Sequence, residues 1–201
     1  MYAYKLFLPA FGKAEINKAI DYLKKKSITL QVDPTVNIYR DPPWDTTLMV
    51  SLKVENNPKW PYPDKTIVSG FELKAYPFDF DQVLKNSGIS IGKLFGLAKG
   101  NPDKIDFKKA LEGRDRGLST QLKSMKVELS IYDEPEIFAG YYTSMLFATA
   151  LAKGAGGIIY EGEFVEEGNV EREFMPTKED LESVLEDIED GEKPEFFKGW
   201  S

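Results

Sequence analysis

At the start of the chain the large side chains at the even positions from Tyr2 to Leu8 alternate with Ala3, Lys5 and Phe7. Alternation of this kind is typical of a β-strand with two different faces, and it stops at Pro9. From Gly12 onwards the apolar residues instead recur every three or four positions, with lysines between them. This spacing predicts an amphipathic helix over residues 12–26.

Alternation returns three more times before residue 77. It predicts strands near 28–39, 46–54 and 66–76, and the stretches between them are rich in proline and asparagine. These residue types favour tight turns, so we expect hairpin connections and an antiparallel sheet.

Glycines interrupt a helical pattern between residues 79 and 113. Gly88, Gly92, Gly96 and Gly100 recur at four-residue intervals, and Lys93 follows the second of them. A phosphate-binding loop would need one more spacer residue and a serine or threonine after the lysine. We therefore interpret this stretch as short, closely packed helices or as flexible loops.

A long stretch with almost no charge follows a clear alternating strand at 125–132. It predicts a helix over 135–153 that serves as the main packing element, and a strand at 157–164 after the Gly156-Gly157 pair. Together with the first half, these elements predict one α+β domain over residues 1–201, in which helices flank a mostly antiparallel sheet.

The C-terminal part also contains two less regular elements. We expect a second strand around Val170–Phe174, and an acidic helix that begins at Pro176-Thr177 and runs to about Asp190. Thr177 and Asp180 have the spacing of a capping box, in which two residues cap the start of a helix reciprocally.

Charge is divided very unevenly along the chain. Residues 161–201 hold 15 acidic and 4 basic residues, whereas residues 1–160 hold 18 acidic and 22 basic ones, so the two parts carry −11 and +4. These values add to the net charge of −7. A concentrated acidic segment on a weakly basic body attracts a basic partner to one side of the molecule.

The chain contains neither histidine nor cysteine. Their absence excludes Ser-His-Asp and Cys-His mechanisms, thiolate metal sites and disulfides. Four kinds of catalytic site remain possible: carboxylate pairs, lysine or tyrosine bases, Ser-Lys pairs and oxygen-ligated metals. The stretches at Asp79 and Asp187 resemble metal loops only superficially, since the second has glutamate and isoleucine where a calcium loop needs ligands. We therefore expect surface acids, no metal site, no cofactor and no catalytic residue.

The N-terminus lacks the long apolar region of a signal peptide, and the longest uncharged stretch, 137–152, is shorter than a membrane span. We therefore expect a cytoplasmic protein that does not cross a membrane. Only four of the 26 basic residues are arginine and the net charge is negative, so nucleic acid is not the expected partner.

Two groups of residues are the candidate partner-binding site. The first is the set of carboxylates that follows residue 160: Glu161, Glu163, Glu166, Glu167 and Glu171. The other interpretation of this set is the solvated face of a strand. The second is a set of aromatic residues in proline-rich loops, which either cover one end of the sheet or anchor a partner: Trp44, Trp60 and Tyr62.

Residues 147–160, with an alanine-rich helix, a Gly-Gly turn and a short apolar strand, resemble a pattern found in small bacterial immunity proteins of polymorphic or contact-dependent toxin systems. The resemblance covers about fifteen residues and implies no site residues. It implies a cytoplasmic, non-enzymatic and often acidic protein that sequesters a cognate toxin.

The predicted function is therefore that of an immunity-type inhibitor, a binding protein that occupies a basic toxin domain with its carboxylates and loop aromatics. Two alternatives remain. One is an enzyme that uses carboxylates or an oxygen-ligated metal, and the other is a phage-derived or structural assembly component.

Overall fold

A computed structural model describes residues 2–33, 43–54, 66–86, 105–114, 116–133, 138–175, 177 and 180. These residues form strands and helices in the order β1 (Tyr2–Leu8), α1 (Lys13–Lys24), β2 (Ile28–Val32), β3 (Trp44–Val54), β4 (Thr66–Pro77), α2 (Phe80–Asn86), α3 (Phe107–Ala110), α4 (Arg116–Ser124), β5 (Val127–Asp133), α5 (Phe138–Ala155), β6 (Ile158–Tyr160) and α6 (Val170–Phe174). The predicted α+β class is confirmed.

The strands form one curled antiparallel sheet, a half-barrel, in the order β2-β3-β4-β5-β1-β6. The N-terminal strand lies inside the sheet, where Leu6 is the register partner of Leu129 on one side and of Ile159 on the other. Its alternating residues face two cores, because Leu6 and Leu8 lie in the main core and Phe7 lies in a second one on the other face of the sheet.

Helix α5 forms the centre of the main core, as its lack of charge predicts. Leu146, Phe147 and Leu151 are completely buried, and so are Thr143 and Ser144 on the same helix. The two hydroxyl groups donate hydrogen bonds of 3.1 and 2.9 Å to backbone carbonyls one turn earlier in the helix. A helix can be buried on all sides only if its few polar groups are satisfied in this way.

The opposite face of the sheet carries a smaller core that is rich in phenylalanine. Phe7 on β1 points into it, with its ring centroid 4.7 Å from that of Phe78 and 5.8 Å from that of Phe107. The short helices α2, α3 and α4 contribute to this second core. Short helices were predicted in this part of the chain, but the glycine series at 88–100 lies outside the described residues.

Two glycines determine how α5 ends. Gly156 has a φ of +73°, the left-handed conformation that favours glycine, and the backbone N–H of Gly157 donates a 3.0 Å hydrogen bond to the carbonyl of Ala152. This is the Schellman ending of a helix. A Cβ on Gly157 would lie 2.7 Å from a methyl carbon of Leu8. The Gly-Gly pair that contributes to the resemblance therefore has a packing role here.

The predicted strands after residue 156 need correction. The strand expected at 157–164 is limited to Ile158–Tyr160 plus an isolated bridge between Tyr160 and Phe164, because Gly162 adopts a φ of +75° and turns the chain. The segment Val170–Phe174, expected as a strand, is helix α6. Apolar residues four positions apart, such as Val170 and Phe174, share one side of either a strand or a helix. This spacing therefore did not distinguish the two.

The capping box predicted for Thr177 and Asp180 is confirmed. The backbone N–H of Asp180 donates to the hydroxyl of Thr177 at 3.2 Å, and the N–H of Thr177 donates to the Asp180 carboxylate at 2.7 Å. The rest of the predicted helix lies outside the described residues.

Candidate functional site

The five predicted carboxylates lie along one segment, residues 161–171, which runs from the end of β6 to α6. They do not share the face of a strand, because the segment turns at Gly162 and becomes helical at Val170. Each carboxylate therefore has its own environment, and the five fall into three groups.

Two of the five are compensated by nearby groups from other elements. Arg114, which precedes α4, forms an ion pair with Glu163. On α6, Glu171 accepts hydrogen bonds from the Tyr22 hydroxyl and, at 3.1 Å, from the Lys26 ammonium, both at the end of α1. These two contacts attach the acidic segment to the folded body at both ends.

The contacts of Glu171 alter two pKa values. Hydrogen bonds from Tyr22 and then from Lys26 lower the pKa of Glu171. Burial, followed by the hydrogen bond to Glu171, raises the pKa of the Tyr22 hydroxyl well above its usual range. Glu171 thus remains ionised and bound to α1, which makes it a structural anchor.

Glu161 belongs to a second group. It is partly buried after β6, and burial raises the pKa of its carboxyl group. A partly buried side chain presents less of its carboxylate to a partner than an exposed one does.

Glu166 and Glu167 form the third group. Both side chains are exposed, and neither forms an ion pair with any residue that the structure describes. The ammonium of Lys153 lies nearby, since it donates a 3.3 Å hydrogen bond to the backbone carbonyl of Glu167. These two carboxylates are the ones available to a partner.

A groove of about 600 Å³ lies directly beside this pair. Its lining combines residues of α4, the loop from Phe164 to Val170, and the end of α5 with Gly156 and Gly157. Glu166 and Glu167 line it together with apolar side chains: Leu118, Met125, Ile158, Phe164, Val165 and Val170. A volume of this size is typical of binding pockets, which measure roughly 300–1,000 Å³.

The side chains of the three predicted aromatics lie outside what the structure describes. The backbone of Trp44 begins β3 and pairs with Ala75, and nothing of its side chain is described. Trp60 and Tyr62 lie outside the described residues. Sequence analysis missed Arg114, Tyr22 and Lys26, which decide which carboxylates are compensated.

A serine and a lysine meet on the sheet face that carries the second core. The Lys5 ammonium donates to the Ser130 hydroxyl at 3.3 Å and also binds the Glu128 carboxylate. Ser130 is only 2% exposed. This arrangement is a cross-strand ion pair supported by a buried hydroxyl, and it does not present a nucleophile to solvent.

The residues that the structure describes contain no group of three or more acidic side chains placed to hold a metal ion. None of their helices combines the length and the apolar character that crossing a membrane requires.

Comparisons with protein-family models, with characterised proteins and with solved structures found no match for this chain. The site is therefore interpreted from its own geometry.

Proposed function

We propose that this protein is a non-enzymatic binding protein that uses the acidic segment at 161–171 to hold a basic partner, and that it acts as an immunity-type inhibitor of a toxin in the cytoplasm. One observation carries the proposal. Glu166 and Glu167 are exposed, have no ion-pair partner among the described residues, and line a groove.

The placement of the anchors supports a binding role for the pair between them. Glu163 is bound to Arg114 on one side, and Glu171 is bound to Tyr22 and Lys26 on the other. Contacts at both ends restrict the segment before a partner binds, and restriction of this kind favours affinity.

The division of charge supports a basic partner. Residues 161–201 carry −11 against +4 for the rest of the chain. Complementary charge accelerates the encounter of two proteins and selects against partners of the wrong sign. Inhibition of this kind needs no catalytic group, because a binding protein blocks a toxin by covering its active region.

Affinity capture from the source cell tests the proposal. The wild-type chain should capture a protein with a basic surface, and the variant Glu166→Gln/Glu167→Gln should capture much less of it. A matched control is Glu15→Gln/Asp21→Asn, which removes two carboxylates from α1, an element that does not line the groove. An acidic partner, or equal capture by all three chains, would contradict the proposal.

The toxin role has its own test. Expression of the captured partner alone should stop growth, and co-expression of the wild-type chain should restore it. A partner without effect on growth would leave a binding protein of another kind and would refute the immunity role.

A further inference from the structure

Arg114 occupies part of the acidic segment 161–171 in the free protein. Its guanidinium Nη2 donates to the Oε2 of Glu163, which lies 49 residues later in the chain. The two residues belong to different parts of the fold, since Arg114 lies between α3 and α4 and Glu163 follows β6. A cation from one part of the chain is therefore bound to a carboxylate of another, which is the contact that a basic partner would also make.

Two glycine turns present these residues to each other. Gly113 and Gly162 both have a φ of +75°, in the left-handed region that favours glycine. The backbone N–H of Arg114 donates to the carbonyl of Leu111 at 3.1 Å, and the N–H of Glu161 donates to the carbonyl of Glu163 at 2.9 Å. Since each turn is set by its own backbone, we expect both turns to persist when the ion pair between the side chains is broken.

The ion pair is weak enough to be replaced. The Glu163 side chain is 77% exposed, and solvent screens such a pair so strongly that it changes an equilibrium constant by at most about fivefold. The contact joins one guanidinium nitrogen to one carboxylate oxygen. A carboxylate binds an arginine more strongly through two parallel hydrogen bonds, so an arginine that approaches from solvent can displace Arg114.

Arg114 also lies beside the two exposed carboxylates. It lines the same groove as Glu166 and Glu167, and Glu163 precedes this pair by only three residues. In the free protein the Arg114 contact therefore withholds one carboxylate of the segment from solution. Its release would add Glu163 to the two carboxylates that the segment already exposes.

We propose that Arg114 is an internal competitor of the basic partner: its guanidinium holds Glu163 in the free protein and gives way to an arginine of the partner when the complex forms. Glu163 is then a third recognition residue in the segment that carries Glu166 and Glu167. This inference rests on the proposed function for the existence of a basic partner, and it adds a contact within the chain that limits how tightly that partner binds.

The probe is a capped tetra-arginine peptide, added to the full chain at low salt while backbone amide signals are followed by NMR. The Glu163 amide signal should shift, and the shift should saturate at an about two- to fivefold lower peptide concentration in Arg114→Gln than in Arg116→Gln. Arg116 is an exposed residue that forms no ion pair with any residue that the structure describes, so the control removes the same charge. Equal saturation in the two variants, or no shift at Glu163, would overturn the inference.

A double-mutant cycle assigns the effect to the contact itself. Glu163→Gln removes the carboxylate for which Arg114 competes, so in that background Arg114→Gln should strengthen peptide binding no more than Arg116→Gln does. A difference between the two arginine variants that persists without Glu163 would show that Arg114 acts through its charge alone, and it would contradict the competition. Dispersed amide signals in each titration show that the variant is folded.

Binding of the captured partner separates this inference from the proposed function. If Glu166→Gln/Glu167→Gln loses the partner while Arg114→Gln and Arg116→Gln bind it equally well, the acidic surface stands and the competition is wrong. If capture does not depend on Glu166 and Glu167, the proposed function fails, and the tetra-arginine titration still decides whether Arg114 competes for Glu163.

Discussion

The hydroxyl of Tyr22 on α1 donates a hydrogen bond to the carboxylate of Glu171 on α6, 149 residues later in the chain. The contact joins the first helix to the acidic segment and is reinforced by Lys26, whose ammonium lies 3.1 Å from the other carboxylate oxygen. The contact attaches the end of the acidic segment 161–171 to the folded body, and its contribution to stability can be measured.

Replacing Tyr22 with phenylalanine should lower the free energy of unfolding at pH 7 by at most about 1 kcal/mol, because the Glu171 side chain is 45% exposed and solvent screens the contact. The folded-state pKa of Glu171 is lowered, so its contribution is present above its ordinary value of 4.5 and is lost as the pH falls through the folded value. Urea unfolding should therefore show a difference at pH 7 that shrinks at pH 3. Tyr76→Phe, at an exposed tyrosine, is the control.

Replacing Glu161 with glutamine should raise the free energy of unfolding at pH 7. Burial raises the folded-state pKa of this carboxyl above 4.5, so the ionised form opposes folding at neutral pH. Below 4.5 the group is protonated in both states, and the effect disappears. Urea unfolding should show that Glu161→Gln is more stable than the wild type at pH 7 and equally stable at pH 3. A loss of stability at pH 7 would contradict the assigned burial.

Two glycine substitutions should differ sharply. A Cβ on Gly154 would lie 2.7 Å from the carbonyl oxygen of Lys18, so Gly154→Ala must push α1 away from α5. Overpacking of this kind costs about 1–3 kcal/mol. A Cβ on Gly168 would meet nothing within 4 Å, so Gly168→Ala should change stability by less than about 0.5 kcal/mol. Equal melting temperatures of the two variants would show that the helices are not in such close contact.

Leu146 tests the central position of α5. It is completely buried, so Leu146→Asp should place an unpaired charge in the core and cost several kcal/mol, enough to prevent folding. Leu146→Ala should fold and lose about 2–5 kcal/mol in urea unfolding. Unchanged melting temperatures in both variants would mean that this side of the helix is an exposed surface.

Local patterns predicted the parts of the fold that have one dominant spacing. The alternation at residues 2–8 and 125–132 gave paired strands, and the uncharged stretch gave α5. The five residues Val170–Phe174 were too few to distinguish a strand from a helix, because a four-residue spacing of apolar groups suits either element.

The site could be predicted only in part. The acidic segment is visible in the sequence, but the state of each carboxylate depends on partners that are distant along the chain. Arg114 and Glu163 are 49 residues apart, and Tyr22 and Glu171 are 149 apart. The groove likewise combines α4, the end of α5 and the 164–170 loop, and no local pattern reports such an assembly.

The most direct test of the account is the rate at which the captured basic partner associates with the chain at low and at high salt. At low salt, Glu166→Gln/Glu167→Gln should associate about three- to tenfold more slowly than the wild type, and the difference should fade in 1 M salt, where charge is screened over about 3 Å. Glu15→Gln/Asp21→Asn, with the same change in net charge, should slow association much less. Equal rates for the two double variants at low salt would contradict the claim that Glu166 and Glu167 form the recognition surface.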